Sequence, residues 1–508
     1  MDLSTDRYAI EIADTLIENG FRSVKNGKEV IYFQDNDGIY SSYDVGDIKR
    51  WLLGYVDEFG EPQDRNRLLK MSEGTIDTIA AGLPTHDSRN PLKVIRDTKD
   101  EIFIPFQNGL VVISKDDCDL VDYSDVVDKG YGGIWEESII PRDIDLNTML
   151  MKPFLKLSDK PLVHQLGGMY SEFTKKAMVK DGDETSEKYH RALKALETVI
   201  GYLCHRYNDP AKAKYIYLTD ASLDGKPEGG NGKTLVVQSL EYVRNYIQVD
   251  GKNWQAGGSA ARFNLPDTIT EKTDIVCLDD VTEGFDASQI FSATTGDLTI
   301  EPKGISKRTI SKDEKPKIVI TSNYFPFGTG NSYERRRHII EFGNYWANSH
   351  LSVEEELGGL LFTDFSQDDW RDFYYFIFGC CQVYLTRGLR EMSLKDLKRN
   401  TKLSSIRVPL SMEVVEWLEN HLKNKRAGVY DTKPGISENA LYNEFVDEFG
   451  DTTEVNKNTL HTALYDFVEA TPGLEYNQHK SGDTKTQKRW MSGPKGKQTP
   501  HIVVGGSF

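Results

Sequence analysis

The sequence predicts an α/β protein whose central part carries a largely parallel sheet. From residue 215 to about 342, apolar β-rich runs alternate with helical or looped stretches, the pattern of strands joined by crossover connections. Three of these runs end in polar groups: "YIYL" before a glycine-rich loop, "IVCL" before Asp279 and Asp280, and "IVITS" before Asn323. Because ligands of open α/β folds bind at the carboxyl ends of strands, we expect these groups to share one site.

Length and composition limit the architecture. A chain of 508 residues is too long for one ordinary core, and at roughly 150 residues per domain it predicts about three domains. The net charge of −17 argues against a protein coated in nucleic acid, although a ring or groove can confine basic residues to one strip. Five cysteines show no spacing that suits zinc or a disulfide framework, which favours a reducing cytoplasm.

Neither export nor membrane insertion is expected. The N-terminal "MDLSTDRYAIEIADTL" lacks the basic and then apolar layout of a secretory signal. The most apolar segment, "FYYFIFGCCQVYL" at 373–385, is shorter than the roughly 20 residues that span a bilayer. We therefore predict a cytoplasmic protein without a membrane partner, and a buried helix at 373–385.

Residues 1–150 are predicted to be α+β. An amphipathic helix with Ile10, Ala13 and Ile17 on one face comes first. Asp37-Gly38 and Asn108-Gly109 each stand between two β-rich runs, which predicts two hairpins. The spacing of Asp35 and Asp37 resembles that of a metal site, but an acidic hairpin turn explains the presence of both aspartates.

Three further regions follow. Residues 151–210 are predicted to be helical, with Leu193, Leu196, Ile200 and Leu203 along one stripe before Pro210. The α/β region is assigned to 211–395. After a basic linker, 411–508 contains helical patterns with Ser437 as a candidate cap, and then a polar, basic stretch between two expected strands, an order that suits a winged helix.

The loop after "YIYL" has the composition of a phosphate-binding loop. In such a loop, glycines let backbone N–H groups face the phosphates, a lysine reaches the β and γ oxygens, and a hydroxyl binds Mg²⁺. One residue departs from the pattern, because Pro227 stands where a glycine is usual. A surface turn is the other interpretation, and the strand before and helix after the loop argue against it. The predicted nucleotide-binding residues are Glu228, Gly229, Gly230, Asn231, Gly232, Lys233 and Thr234.

The polar strand ends supply the remaining chemistry. One of Asp279 and Asp280 can hold Mg²⁺ and the other can polarise the attacking water, with Asp279 and Thr234 as the predicted metal ligands. The amide of Asn323 can orient that water or sense the γ-phosphate. The alternative for the aspartate pair is that two aspartates follow an apolar run by chance. The alternative for Asn323 is that it only forms a turn.

Lys233, the aspartate pair and Asn323 fall in this order within 90 positions (323 − 233), and this arrangement resembles a superfamily 3 helicase, of the phage, plasmid and large-DNA-virus primase-helicase family. The resemblance implies an AAA+-like core that uses ATP and Mg²⁺ and forms a homo-hexamer. "FSATTGDLTIEPKG" looks like the family segment that leads into a DNA-gripping hairpin, which would carry Lys303, Lys307 and Arg308 here. "SYERRRHIIEF" resembles the arginine-finger segment, favouring Arg336, with Arg335 next and Arg337 last. A solvated basic hairpin and a surface basic cluster are the alternatives for these two segments.

The resemblance also assigns roles to the flanking regions. Residues 1–150 look like the family's helper domain, and 151–210 would be a helical collar for oligomerisation. The implied function is an ATP-driven translocase that binds single-stranded and forked DNA and unwinds duplex DNA in phage or mobile-element replication, with a separate primase or polymerase as a further partner.

An ATP-switched replication initiator is the alternative, in which the C-terminal module recognises an origin. The base-reading residues would be Lys457, Asn458 and His461, and the phosphate contacts would be Lys485, Lys488 and Arg489.

Overall fold

The computed structural model describes residues 3–26, 29–87, 89–128, 130–146, 160–220, 229–252, 268–300, 308–328, 330–392 and shorter stretches of 401–504. The protein is a mixed α/β fold with parallel and antiparallel sheets. In these residues no helix is long and apolar enough to cross a membrane.

The strands in chain order are β1 (Phe21–Asn26), β2 (Glu29–Asn36), β3 (Ile39–Tyr43), β4 (Thr85–His86), β5 (Glu101–Phe106), β6 (Gly109–Ser114), β7 (Cys118–Val121), β8 (Ile134–Trp135), β9 (Tyr215–Asp220), β10 (Tyr246–Asp250), β11 (Ile275–Asp279), β12 (Leu298–Ile300), β13 (Arg308–Ile310), β14 (Lys317–Thr321), β15 (Arg337–Phe342), β16 (Val429–Tyr430), β17 (Lys433–Ser437), β18 (Leu474–Tyr476), β19 (Met491–Ser492), β20 (Gln498–Thr499) and β21 (His501–Val504).

The α-helices are α1 (Leu3–Glu18), α2 (Val45–Phe59), α3 (Pro62–Lys70), α4 (Glu73–Ala80), α5 (Tyr123–Asp128), α6 (Met169–Ala177), α7 (Glu187–Cys204), α8 (Lys233–Gln238), α9 (Phe291–Thr295), α10 (Asn331–Arg336), α11 (Tyr345–Asn348), α12 (Val353–Leu357), α13 (Gln367–Arg387) and α14 (Glu438–Phe449).

The N-terminal helix is present, and its apolar face differs from the predicted one at Ile10. Ile12 and Leu16 are the fully buried positions of α1, whereas Ile10 is 61% exposed. Ala13 and Ile17 pack at the border of the same core. The stripe that faces the core is therefore centred on Ile12 and Leu16, which are four residues apart and lie on one side of the helix.

Both predicted hairpins are found. Asp37 and Gly38 have φ values of +51° and +87° between β2 and β3, the left-handed conformations that a two-residue hairpin turn requires. Phe106 pairs with Gly109 between β5 and β6, so Gly109 lies in the strand and the turn consists of residues 107 and 108. These turns belong to two sheets, β4-β1-β2-β3-β8 and β5-β6-β7.

The three-stranded sheet shares its core with the central region. Alternate residues Ile102, Ile104 and Phe106 of β5 belong to the same core cluster as the central sheet and helices α7 and α13. The Phe106 ring lies edge-on to Tyr374 of α13, with ring centroids 4.8 Å apart. The boundary predicted near residue 150 falls in residues 147–159, outside the described part of the chain, and stays a prediction.

Two long helices support the central sheet. The predicted stripe Leu193, Leu196, Ile200 and Leu203 is buried on α7. The apolar segment 373–385 is a buried helix as predicted, forming most of α13 and packing against α7. Gly201 lets these helices approach closely, since a Cβ there would lie 2.2 Å from the Cys380 carbonyl oxygen.

The central sheet is parallel throughout and has the order β10-β11-β14-β9-β15. The first strand along the chain, β9, therefore lies between the fourth and the fifth. All five carboxyl ends meet at one edge, and the chain leaves β9 there for the glycine-rich loop and α8.

The C-terminal region has its own core, which includes Leu418, Leu441, Phe445, Leu460 and Leu464. Helix α14 begins directly after Ser437, where a helix was expected. Strand β18, at the start of the polar and basic stretch, pairs antiparallel with β21, which follows the stretch, and β19 pairs with β20.

Candidate nucleotide-binding site

The carboxyl edge of the central sheet collects the predicted chemistry. Lys233 begins α8, and its Nζ donates a hydrogen bond to Asn323 Oδ1 at 3.0 Å. Thr234 Oγ1 donates to Asp279 Oδ1 at 2.8 Å. Four residues that are up to 90 positions apart in the chain are thus joined in two pairs, one at the end of β14 and one at the end of β11.

Lys233 also forms a buried ion pair that the sequence did not predict. Its Nζ lies 2.5 Å from Oδ1 of Asp220, the last residue of β9. The two residues are 6% and 1% exposed. Burial lowers the pKa of Lys233 from its usual value, and the Asp220 carboxylate opposes that effect.

The loop backbone depends on two glycines. Gly230 and Gly232 have φ values of +91° and +87°, in the region that glycine adopts without strain. At Gly232 space is restricted too, because a Cβ would lie 2.7 Å from the Phe173 ring. Glu228 and Pro227 lie outside the described residues, as the description resumes at Gly229.

Asp279 is held by three side-chain donors. Besides Thr234, its Oδ1 accepts from Thr321 Oγ1 at 2.6 Å, and its Oδ2 accepts from Gln248 Nε2 at 2.8 Å. Thr321 comes from β14 and Gln248 from β10, the two strands on either side of β11. The carboxylate is therefore fixed in orientation by both neighbouring strands.

Asp280 leaves the sheet in an unusual conformation. Its φ is +55°, and its backbone N–H donates to Thr321 Oγ1 at 2.9 Å. The carboxylate forms an ion pair with Lys252, with Nζ 2.5 Å from Oδ2, and both side chains are partly exposed. The adjacent aspartates thus have different surroundings, as a metal ligand and a water-polarising group would need.

The arginine cluster lies at the opposite edge of the sheet. Arg337 pairs with Tyr215 at the start of β9, whereas the site lies beyond Asp220, roughly 16 Å along the strand at about 3.3 Å per residue. Arg335 is exposed. The Arg336 guanidinium lies 4.8 Å from the Phe291 ring centroid, and the buried Arg337 donates to the carbonyls of Phe327 and Gly328.

Of the predicted DNA-binding hairpin, the structure describes the two paired strands at its base. Strands β12 and β13 pair antiparallel, with Ile300 opposite Arg308. Lys303 and Lys307 lie outside the described residues. The base is anchored by Lys315, whose Nζ donates to the carbonyl oxygens of Ala293 at 2.6 Å and Gly296 at 2.9 Å.

Of the residues proposed for an initiator role, only Lys457 is described. Its Nζ lies 5.5 Å from the centroid of the Tyr442 ring. Asn458, His461, Lys485, Lys488 and Arg489 lie outside the described residues.

The chain is similar to solved structures at low sequence identity. No family model matches it, and no curated protein matches it. The structure titled "The A form apo structure of NrS-1 C terminal region-CTR" aligns with a TM-score of 0.42 and 13% identity, over 97% of this chain and 99% of that chain. "The apo structure of NrS-1 C terminal region (305-718)" aligns with a TM-score of 0.41 and 12% identity, over 98% and 99%. At this level neither structure says what this chain does, and its function is inferred from the geometry of the site.

Proposed function

We propose that this chain is an ATP-driven DNA translocase of the superfamily 3 type, which unwinds duplex DNA as a ring of identical AAA+-like subunits. The observation that carries the proposal is the convergence of Lys233 and Thr234 with Asp279 and Asn323 at the carboxyl edge of a parallel sheet. A lysine, a hydroxyl, a carboxylate and an amide in this order are the groups that phosphoryl transfer from ATP to water needs.

The roles follow from position. Lys233 contacts the β and γ phosphates of ATP, and Asn323, which already contacts Lys233, orients the attacking water. Once the ion pair with Lys252 has opened, the Asp280 carboxylate accepts a proton from that water. Backbone N–H groups of residues 229–232 face the phosphates, because their glycines permit the inward-pointing conformation.

Mg²⁺ fits the pair formed by Thr234 and Asp279. Hydroxyl and carboxylate oxygens are ligands that this ion prefers, and these two oxygens are 2.8 Å apart, close enough to bind one cation. When bound, Mg²⁺ neutralises charge on the β and γ phosphates. Gln248 and Thr321 keep the Asp279 carboxylate oriented for this role.

DNA is assigned to the hairpin of β12 and β13. Lys303, Lys307 and Arg308 supply cations for backbone phosphates, so binding should depend weakly on sequence and fall steeply with salt. The C-terminal region, 411–508, is assigned to a winged-helix-like module, supported by its helices and antiparallel strands.

The deciding experiment measures ATP hydrolysis with and without single-stranded DNA, together with strand displacement on a forked duplex. Wild type is expected to hydrolyse ATP faster with DNA and to displace the strand, and Asp279→Ala/Asp280→Ala is expected to do neither. Hydrolysis without displacement would favour the replication initiator instead. Absence of both binding and hydrolysis would remove the nucleotide-site assignment.

A further inference from the structure

Asp220 stands where the phosphates of a nucleotide must reach Lys233. It is the last residue of β9, it directly precedes the glycine-rich loop, and its carboxylate forms the buried ion pair with Lys233 Nζ. Its Oδ1 accepts from Lys233, and its Oδ2 has no hydrogen-bond partner in the described part of the chain. A fully buried carboxylate with one satisfied oxygen depends strongly on its single cationic partner.

The contacts of Lys233 show what nucleotide binding must change. An ammonium group has three donors, and here one is directed at Asp220 and one at Asn323. A phosphate that takes the ammonium away from Asp220 leaves a carboxylate buried without a partner. A phosphate that binds while the pair is kept lies close to a negative charge in a poorly screened environment.

Both outcomes weaken nucleotide binding. We infer that Asp220 competes with the phosphates of the nucleotide for Lys233 and so lowers the affinity of this site for ATP and ADP. This inference rests on the proposed function, because it assumes that ATP binds at Lys233. It gives Asp220 a regulatory role at that site: the ion pair holds the lysine when no nucleotide is present.

The test compares dissociation constants for ATP and ADP in the presence of Mg²⁺. Asp220→Asn keeps the shape of the side chain and an oxygen that accepts from Lys233, but removes the charge. It is expected to bind ATP about tenfold more tightly or better, since the removed charge is buried and adjacent to the phosphates. ADP binding should tighten as well. Asp125→Asn on α5, an exposed position, makes the same change in net charge and should bind as wild type.

A second pair of variants tests whether the effect acts through the lysine. In a Lys233→Ala background, Asp220→Asn is expected to restore little or no binding, because the residue for which Asp220 competes is absent. An equal gain in both backgrounds would show simple repulsion and overturn the competition. Asp220→Ser provides a second charge-removing variant if the asparagine variant does not fold, with folding checked by thermal unfolding.

Failure of the inference and failure of the proposed function are distinguishable. If wild type and Asp220→Asn bind ATP with the same affinity, or the variant binds more weakly, Asp220 does not compete and the nucleotide site stands. If neither wild type nor any variant binds ATP or ADP, the proposed function itself is wrong.

Discussion

Lys317 is a buried lysine whose protonation affects the stability of the folded protein. It begins β14 at 5% exposure, donates to the Tyr207 carbonyl at 2.9 Å and lies 4.3 Å from the Tyr202 ring centroid. Burial, together with the positive charge of the neighbouring Lys315, lowers its pKa to about 7. In the unfolded chain the same lysine would keep its proton up to a pH of about 10.4.

The stability of the protein should therefore depend on pH through this residue. Between pH 7 and 10 the unfolded state holds more protons on Lys317 than the folded state, so its contribution to stability rises with pH and is lost as pH falls towards 7. The slope from one lysine is at most about 1.4 kcal/mol per pH unit. Lys317→Met is expected to remove that slope from the free energy of unfolding, measured by denaturant between pH 7 and 9.

The comparison needs an exposed lysine as a control. Lys312 is exposed near Lys317, and Lys312→Met should leave the pH dependence as in wild type. Parallel curves for wild type and Lys317→Met would mean that Lys317 remains charged in the folded protein.

At the scale of elements, β14 connects the hairpin with the nucleotide site. Lys315, just before its amino end, holds the carbonyls of Ala293 and Gly296 at the base of the hairpin. Beyond its other end, Asn323 contacts Lys233. Strand β14 is hydrogen-bonded to β11 on one side and to β9 on the other, so the candidate nucleotide site and the hairpin base lie near the two ends of one central strand.

Loss of a phosphate contact on this hairpin should separate hydrolysis from movement. Lys303→Ala is expected to keep most of the DNA-stimulated ATPase and to lose strand displacement by tenfold or more, since the motor still turns over without gripping the backbone. The measurement is the number of ATP molecules hydrolysed per base pair opened. Lys312→Ala, another exposed lysine nearby, provides the control, and an unchanged ratio in Lys303→Ala would clear the hairpin of this role.

The elements of the central sheet could be predicted from the sequence, but the contacts between them could not. Apolar runs before Asp279 and Asn323 were sufficient to place Asp279 at the end of a strand and Asn323 just after one. Asp220, Thr321, Gln248 and Lys252 were missed, because each contacts the site from a different strand or loop. Such contacts depend on the strand order, with β9 between β14 and β15, and no local spacing encodes that order. A polar residue at each strand end was the signal available for Asp220.

Buried charges join the N-terminal part of the molecule to the central region. Arg244, two residues after the 3₁₀ turn that follows α8, donates to the carbonyl of Phe103 at 2.8 Å and pairs with Asp97 at 3.2 Å. Asp97 also accepts from the backbone of Phe103 and of Arg206. Beside this network is a cavity of about 950 Å³, lined by residues of both parts. Breaking one member would leave a buried charge unpaired, so this junction favours movement of the two parts together.

The arginine cluster and the candidate nucleotide site lie at opposite edges of the central sheet. Arg335 and Arg336 precede β15 at the amino edge of the sheet, and the lysine and aspartates of the nucleotide site lie at the carboxyl edge. Within one subunit these groups are separated by the length of the sheet. In the proposed function an arginine stabilises the γ-phosphate by contact, so these arginines would serve the nucleotide site of another copy and not their own.

Two inactive variants should therefore restore activity when mixed. Arg335→Ala/Arg336→Ala is expected to bind ATP but to lose hydrolysis by about 10³-fold or more, and Lys233→Ala should not bind ATP. In a co-expressed mixture, a subunit with intact Lys233 meets a neighbour with intact arginines, and a fraction of the wild-type ATPase should return.

Single variants then identify which arginine acts. Arg335→Ala is expected to lose more ATPase activity than Arg336→Ala, because Arg335 is exposed whereas Arg336 packs on Phe291. A triple variant carrying all three changes supplies the control, since mixing it with Lys233→Ala leaves no subunit able to bind ATP. Mixtures that stay as inactive as their components would show that no arginine of this cluster acts between copies.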